Sequence, residues 1–282
     1  MNPVILPAGQ LPQETIKAFR WQDNLVHRHL DWLSLEERLT QPLAFACTRD
    51  GVLRALLSAA ADSPQAAWLR LFECGRGYPH AQAFSSLLQA ALASLQEQEV
   101  PTLYSLAFSD WFRDLLLGNG FQETDQVISL QLTSPQAAFP VLPEGFTLHQ
   151  TRRVDLPEVL ALDQVSFTPE WRLSDRTLEM IYQNQHYGTV MTDGSRVIAY
   201  QSSSANFQGM HLNRLAVHPE YQGRGLGAII LQDLIAQAQA WSTAALSVNT
   251  QRENHASRKL YARLGFQPSG KPVPVFELGV IH

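Results

Sequence analysis

Cysteine is scarce: the 282 residues hold two, Cys47 and Cys74, both in the first half. Two thiols make no disulfide scaffold, and no spaced Cys/His set suggests structural zinc, so reduced buried thiols and no metal are expected. No apolar run approaches the roughly 20 residues that span a bilayer. The opening MNPVILPAGQLPQE lacks a charged segment followed by an apolar one, so no signal peptide is expected. Basic excess is missing as well. Net charge is -5, with 9 Lys+Arg against 14 Asp+Glu in residues 1–143 and 12 against 12 in 144–282. Neither half has the positive surface that nucleic-acid binding needs. The expectation is a soluble, cytoplasmic protein with no nucleic-acid or membrane partner.

What is present is a globular composition, 45% hydrophobic and 17% charged, long enough for two domains. Residues 134–145 (SPQAAFPVLPEG) hold three prolines and a terminal glycine. Proline removes a donor and fixes φ, so neither helix nor sheet continues easily there. Domains over 1–138 and 144–282 are expected.

The second half alternates between strand and helix patterns. Strands are expected over 146–149, 187–192, 196–205, 210–217 and 244–248, with Asp193-Gly194 as a hairpin turn. Helices are expected over 156–163, over 174–183 with Ser174 as N-cap, over 225–241 and over 254–264. The third is apolar at Leu226, Ile230, Leu234 and Ala238, one helical face. The fourth stops at Gly265, a suitable C-terminal glycine.

The chemistry concentrates in LAVHPEYQGRGLG, residues 215–227, which follows a strand and opens a helix. A helix's first turn has unpaired N–H groups and the positive end of a dipole, and glycines let a pyrophosphate approach that backbone. Arg224 could add a charge-assisted contact. A Walker loop would need a following Gly-Lys-Ser/Thr, and a dinucleotide fingerprint would need G-x-G-x-x-G; Gly223, Gly225 and Gly227 are spaced by two.

With Gln222, Gly225 and Gly227 in the pattern Q/R-x-x-G-x-G/A, this segment resembles the acetyl-CoA motif of the GNAT superfamily of N-acetyltransferases. The stretch NHASRKLYARLGF, 254–266, is similar to the family's second signature. The resemblance implies an α/β (α+β) fold, two tandem GNAT-like domains, each a mixed, mostly antiparallel sheet flanked by helices. It implies acetyl-CoA as cosubstrate and no metal. Leu215, Ala216 and Val217 would lie along the pantetheine. The amides of Gln222, Gly223, Arg224, Gly225, Leu226, Gly227 and Ala228 would cradle the pyrophosphate. Asn254 would contact the pantetheine arm, or simply cap its helix, or both. Tyr261 stands at the place of the general acid that protonates the leaving thiolate; otherwise it is a core tyrosine. His211 is a candidate general base, with Asn213 and Glu170 as further acceptor-side candidates; otherwise it is a histidine satisfied within the sheet. The acceptor would be a small-molecule amine or a peptide, and the protein a monomer or homodimer. A coenzyme-binding sensor without turnover, and a transferase of another acyl group or acceptor, remain open.

The first half echoes the second. Asp50-Gly51 precedes Asp193-Gly194 by 143 residues, and Gly120-Phe121-Gln122 precedes Gly265-Phe266-Gln267 by 145. Such order suggests an internal duplication. The same offsets put Gln82 and Phe84 where the second half has Gly225 and Gly227, and Ser109 and Leu116 where it has Asn254 and Tyr261. The first copy is expected to be degenerate.

Overall fold

The computed structural model describes residues 3–29, 33–133, 135, 141–194, 196–207 and 209–280. Much of the expected linker, residues 134 and 136–140, lies outside them. The chain forms two compact units, one of Met1–Thr124 with Val273–His282, the other of Asp125–Pro272. These are not the sequential halves 1–138 and 144–282, because each unit takes one strand segment from the far end of the other repeat.

Unit 1 contains β1 (Val4–Pro7), α1 (Gln13–Arg20), β2 (Asn24–Arg28), α2 (Leu35–Leu39), β3 (Ala44–Arg49), β4 (Val52–Ser63), β5 (Ala66–Gly75), α3 (His80–Glu97), β6 (Thr102–Leu106) and α4 (Asp110–Gly118). β7 (Gln122–Thr133) enters unit 2 from residue 125. There follow β8 (Thr147–Gln150), α5 (Leu156–Ser166), α6 (Asp175–Asn184), β9 (Tyr187–Thr192) and β10 (Val197–Asn206). Next come β11 (Gly209–Val217), α7 (Leu226–Ala240), β12 (Ala245–Gln251), α8 (His255–Arg263) and β13 (Gln267–Gly279), which returns to unit 1 from residue 273.

The two sheets share one plan. In unit 1 the order is β1-β3-β4-β5-β6-β13, and in unit 2 it is β8-β9-β10-β11-β12-β7. Neighbours are antiparallel except the fourth and fifth strands, which run parallel. Helices cover both faces. In unit 2, Leu231, Leu234, Ile235 and Ala238 of α7 pack with Leu212, Leu246 and Phe266, and Leu156, Val159 and Leu178 pack on the other face with Val190 and Tyr200. Each such large apolar side chain contributes about 1.5–3 kcal/mol by leaving water. No helix among the described residues is long and apolar enough to cross a membrane.

Backbone details repeat at the offsets read from the sequence. Ala67 pairs with Leu103 in unit 1, and Met210 with Leu246 in unit 2, each 143 residues on. Non-glycine residues with positive φ recur at Glu99 (56°) and Ser242 (53°). A β-bulge leaves Arg70, between Leu69 and Leu71, without an opposite residue on β4, and another leaves Asn213 without one on β10. α4 and α8 end alike: the amide of Phe121 donates to Leu116 at 3.1 Å, and that of Phe266 to Tyr261 at 3.0 Å. Chance likeness between unrelated sheets would not reproduce bulges and left-handed residues in register.

Candidate active site

The site in unit 2 begins where two strands part. β11 and β12 pair only over Met210–Leu212 and Leu246–Val248, although both continue. The bulge at Asn213 turns β11 at that point. Beyond Leu212, among the described residues, no strand pairs with the β12-facing edge of β11. A cleft of about 530 Å³ opens there, lined by Leu215, Ala216 and Val217 on one side and Asn254 on the other.

The glycine-rich turn closes one end of the cleft. Gly223 and Gly225 have φ of 77° and 80°, the left-handed region that glycine adopts without a Cβ penalty. Open space surrounds the Cβ position at both. Among the described residues none accepts a hydrogen bond from the amides of Gly223, Arg224, Gly225, Leu226 or Gly227. Five successive free donors at the positive end of α7 form a cradle for a diphosphate. Gly227 serves packing instead: a Cβ there would meet Leu260 Cδ2 at 3.4 Å and Val217 Cγ2 at 3.6 Å.

Most of the expected coenzyme residues line this cleft: Leu215, Ala216 and Val217; Gln222, Gly223 and Gly225; Leu226, Gly227, Ala228 and Asn254. Gln222 folds back, its Nε2 donating to the Val217 carbonyl at 3.0 Å. Asn254 caps α8, its Oδ1 accepting from the Ser257 amide at 3.0 Å. Arg224 is not part of the wall. Its guanidinium lies 4.9 Å from the Tyr221 ring centre and donates to the Glu220 carbonyl. The cations that do line the cleft are Lys259 and Arg263. Ala256, Lys259, Leu260 and Arg263 share one face of α8, at i, i+3, i+4 and i+7.

Tyr261 and His211 lie outside the cleft wall. Tyr261 is 4% exposed, in the core with Leu212 and Leu246, its ring 5.6 Å from that of Phe266. Burial pushes its phenol above the ordinary range. His211 sits at the closed end of the splay, opposite Ser247, with Nδ1 2.9 Å from the Ser247 hydroxyl. Burial lowers its pKa, so the imidazole is neutral near pH 7. Asn213 Oδ1 accepts from Ser204 at 3.0 Å, and Glu170 accepts from Thr168.

A charged cluster that sequence reasoning missed braces the other wall. Asp163, fully buried on α5, accepts from Arg214 Nε at 2.8 Å, from the Tyr200 hydroxyl at 2.5 Å and from the Leu173 amide at 2.9 Å. Arg214 also donates to the Trp171 carbonyl and lies 3.5 Å over the Phe167 ring, which lines the cleft.

Among the described residues, unit 1 has no such opening on the matching edge. β2 adds antiparallel to β5, pairing Asn24–Arg28 with Leu71–Gly75. The offset of 143 maps that edge onto the open edge of β11. His27 on this inserted strand is 2% exposed and stacked on Phe112 at 3.6 Å; burial lowers its pKa to about 3. α3 begins five residues after β5, where unit 2 has its turn, and Phe84, at the place of Gly227, packs against Phe72 and Phe112.

A model of the acetyltransferase (GNAT) family matches residues 156–266. A "Putative [ribosomal protein bS18]-alanine N-acetyltransferase" of Bacillus subtilis is 26% identical over 121 residues, 42% of this chain and 79% of that protein. The "[Ribosomal protein bS18]-alanine N-acetyltransferase" of Escherichia coli K12 is 26% identical over 120 residues, 43% of this chain and 80% of that one. Over the whole length, the fold is similar to a tandem GNAT protein from the clavulanic acid biosynthesis pathway. The TM-score is 0.63 at 13% identity, covering 100% of this chain and 99% of that one. A GCN5-related N-acetyltransferase from Sphaerobacter thermophilus gives 0.60 at 14% identity, covering 91% and 96%.

Proposed function

We propose that unit 2, whose residues 156–266 match the model of the acetyltransferase (GNAT) family, transfers an acetyl group from acetyl-CoA to a primary amine by direct attack on the thioester. The observation that carries the reading is the cradle of five free amides at one end of a cleft whose wall is the open edge of β11. Such donors suit the diphosphate, and the parted strands suit an extended amide-containing arm. The amine nitrogen bonds to the acyl carbon, the C–S bond breaks, the amine loses a proton and the thiolate gains one. His211, neutral and at the apex of the splay, is assigned the first proton transfer; Tyr261, held in its protonated form, is assigned the second. A peptide amine of the kind named for the bS18-alanine relatives is the first acceptor to try.

Unit 1 is read as a copy that binds no coenzyme, because its own β2 occupies the edge that unit 2 leaves open. A coenzyme-binding module without turnover is the second reading, favoured by the absence of Tyr261 and His211 from the cleft wall. Calorimetric titration of the intact protein with acetyl-CoA tests the assignment. One site per chain is expected, lost in Gly225→Arg, whose side chain would fill the turn. Two sites would remove the closed-copy reading, and unchanged affinity in Gly225→Arg would remove the site.

A further inference from the structure

His211 and Ser247 stand opposite each other in the short paired stretch of β11 and β12. Their strand neighbours Met210, Leu212, Leu246 and Val248 are buried in the core under α7. Strand alternation therefore turns His211 and Ser247 to the other face of the sheet. The register continues across that face to Ser204 on β10 and Gln131 on β7. In this row of four, Ser204, His211, Ser247 and Gln131, the histidine alone can take a proton near neutral pH.

The hydrogen bonds of Ser247 decide how that histidine presents itself. A serine hydroxyl has one proton to donate and lone pairs to accept with. The Ser247 proton is already placed, because Oγ donates to the Met210 carbonyl at 3.2 Å. Oγ thus meets His211 Nδ1, 2.9 Å away, with a lone pair. The neutral ring must then carry its hydrogen on Nδ1, and the free lone pair falls to Nε2. Among the described residues no group hydrogen-bonds to Nε2. Ser202 Oγ and Asn213 Nδ2 nearby are sealed from solvent without a partner, whereas His211 Nε2 is not. Burial favours the neutral ring, so the lone pair is available near pH 7.

We propose that Ser247 is a positioning residue that fixes His211 in the tautomer protonated on Nδ1, so that Nε2 is the nitrogen that takes the proton of the acceptor amine. This rests on the reading of His211 as the base. As the amine nitrogen bonds to the acyl carbon, its N–H bond breaks, the electron pair stays on nitrogen and the proton passes to the Nε2 lone pair. The ring becomes an imidazolium that still donates through Nδ1. Its bond to Ser247 Oγ is now charge-assisted and strengthens as the proton arrives. Ser247 itself touches no reacting atom.

The test is nitrogen NMR of the intact protein labelled with 15N-histidine, with His211 assigned by the signals that H211Q removes. No ligand is needed. Near pH 7 the parent should show a protonated, pyrrole-like Nδ1 and an unprotonated, pyridine-like Nε2. Ser247→Ala should lose this single tautomer, and Ser247→Thr, which keeps the hydroxyl, should restore it. The opposite tautomer in the parent would overturn the proposal. So would an unchanged pattern in Ser247→Ala, which would leave Ser247 as a cap on the Met210 carbonyl alone. Acetyl transfer to a peptide with an N-terminal alanine supplies the kinetic readout. In Ser247→Ala kcat should fall about tenfold, part of the 10²–10⁴-fold that a positioned base contributes, while KM for acetyl-CoA stays within about twofold. A kcat equal to the parent's would overturn the positioning role even if the tautomer changed. Parent-level turnover in H211Q would instead overturn the base reading beneath it, with the tautomer result standing.

Discussion

Tyr261 is held among carbon atoms, with Leu212 and Leu246 of the strands and the ring of Phe266 around it. Such a phenol keeps its proton at any physiological pH, as a donor to a leaving thiolate must. The same surroundings would suit a phenylalanine. Removing the hydroxyl is therefore a clean probe: Tyr261→Phe leaves the packing volume nearly unchanged. Turnover should fall by about 10²–10⁴-fold, the usual contribution of a positioned proton donor, while acetyl-CoA affinity in calorimetry stays within about twofold. Unaltered turnover would return Tyr261 to a purely structural place and strengthen the reading of a module that binds without reacting.

At the scale of elements, the bulge at Asn213 determines which side chains reach which face of β11. Met210 and Leu212 pack under α7 before it, and Leu215 and Val217 do so after it. The shift of parity delivers Arg214 to α5, where it meets the buried Asp163 and, through Trp171 and Phe167, fastens the loop that walls the cleft. Arg214→Met keeps most of the side chain's volume and leaves the Asp163 carboxylate buried with the Tyr200 hydroxyl and the Leu173 amide alone. Breaking a buried pair in this way costs about 3–5 kcal/mol. The expected outcome is a large drop in the denaturant midpoint, together with weaker acetyl-CoA binding as Phe167 loses its support. A midpoint within experimental error of the parent would show that the cluster carries no stability.

Those elements also show where sequence was legible. The glycine turn, α7 and α8 could be read because local chemistry determines them: left-handed positions need glycine, a cap needs Asn254, and a 3.6-residue period marks the face of α7 that packs inward. The cluster of Asp163 and Arg214 could not, since its members stand 51 residues apart and meet only through a bulge that no local pattern announces. The lysine and arginine of α8 were within reach, lying at helical spacing from Ala256, just after the expected Asn254. The closing of unit 1 by β2 was beyond it, because Asn24–Arg28 looks like any short strand until its pairing with β5 is known.

At the scale of the molecule, the repeats are sequential in the chain but the compact units are not. Residues 127–133 pair with all seven residues of β12, and Leu130 is buried in the core that holds Tyr261, with Ile128 and Leu132 packed against it. Residues 275–279 pair with β6, and Phe276, fully buried, joins the core of unit 1. A fragment cut at the proline-rich stretch, 144–282, keeps the whole glycine turn and α8 yet lacks the strand that covers β12. Losing three apolar side chains at up to about 1.5–3 kcal/mol each, together with the hydrogen bonds of a full strand, removes an amount comparable to the 5–15 kcal/mol that stabilises an ordinary domain. It also exposes a sheet edge that invites aggregation. Fragment 144–282 should therefore be insoluble or melt without cooperativity, whereas 125–272, which follows the compact unit, should melt cooperatively and bind acetyl-CoA. Calorimetric melting of the two fragments decides it: cooperative melting of 144–282 at the temperature of 125–272 would mean that residues 125–133 contribute little to unit 2.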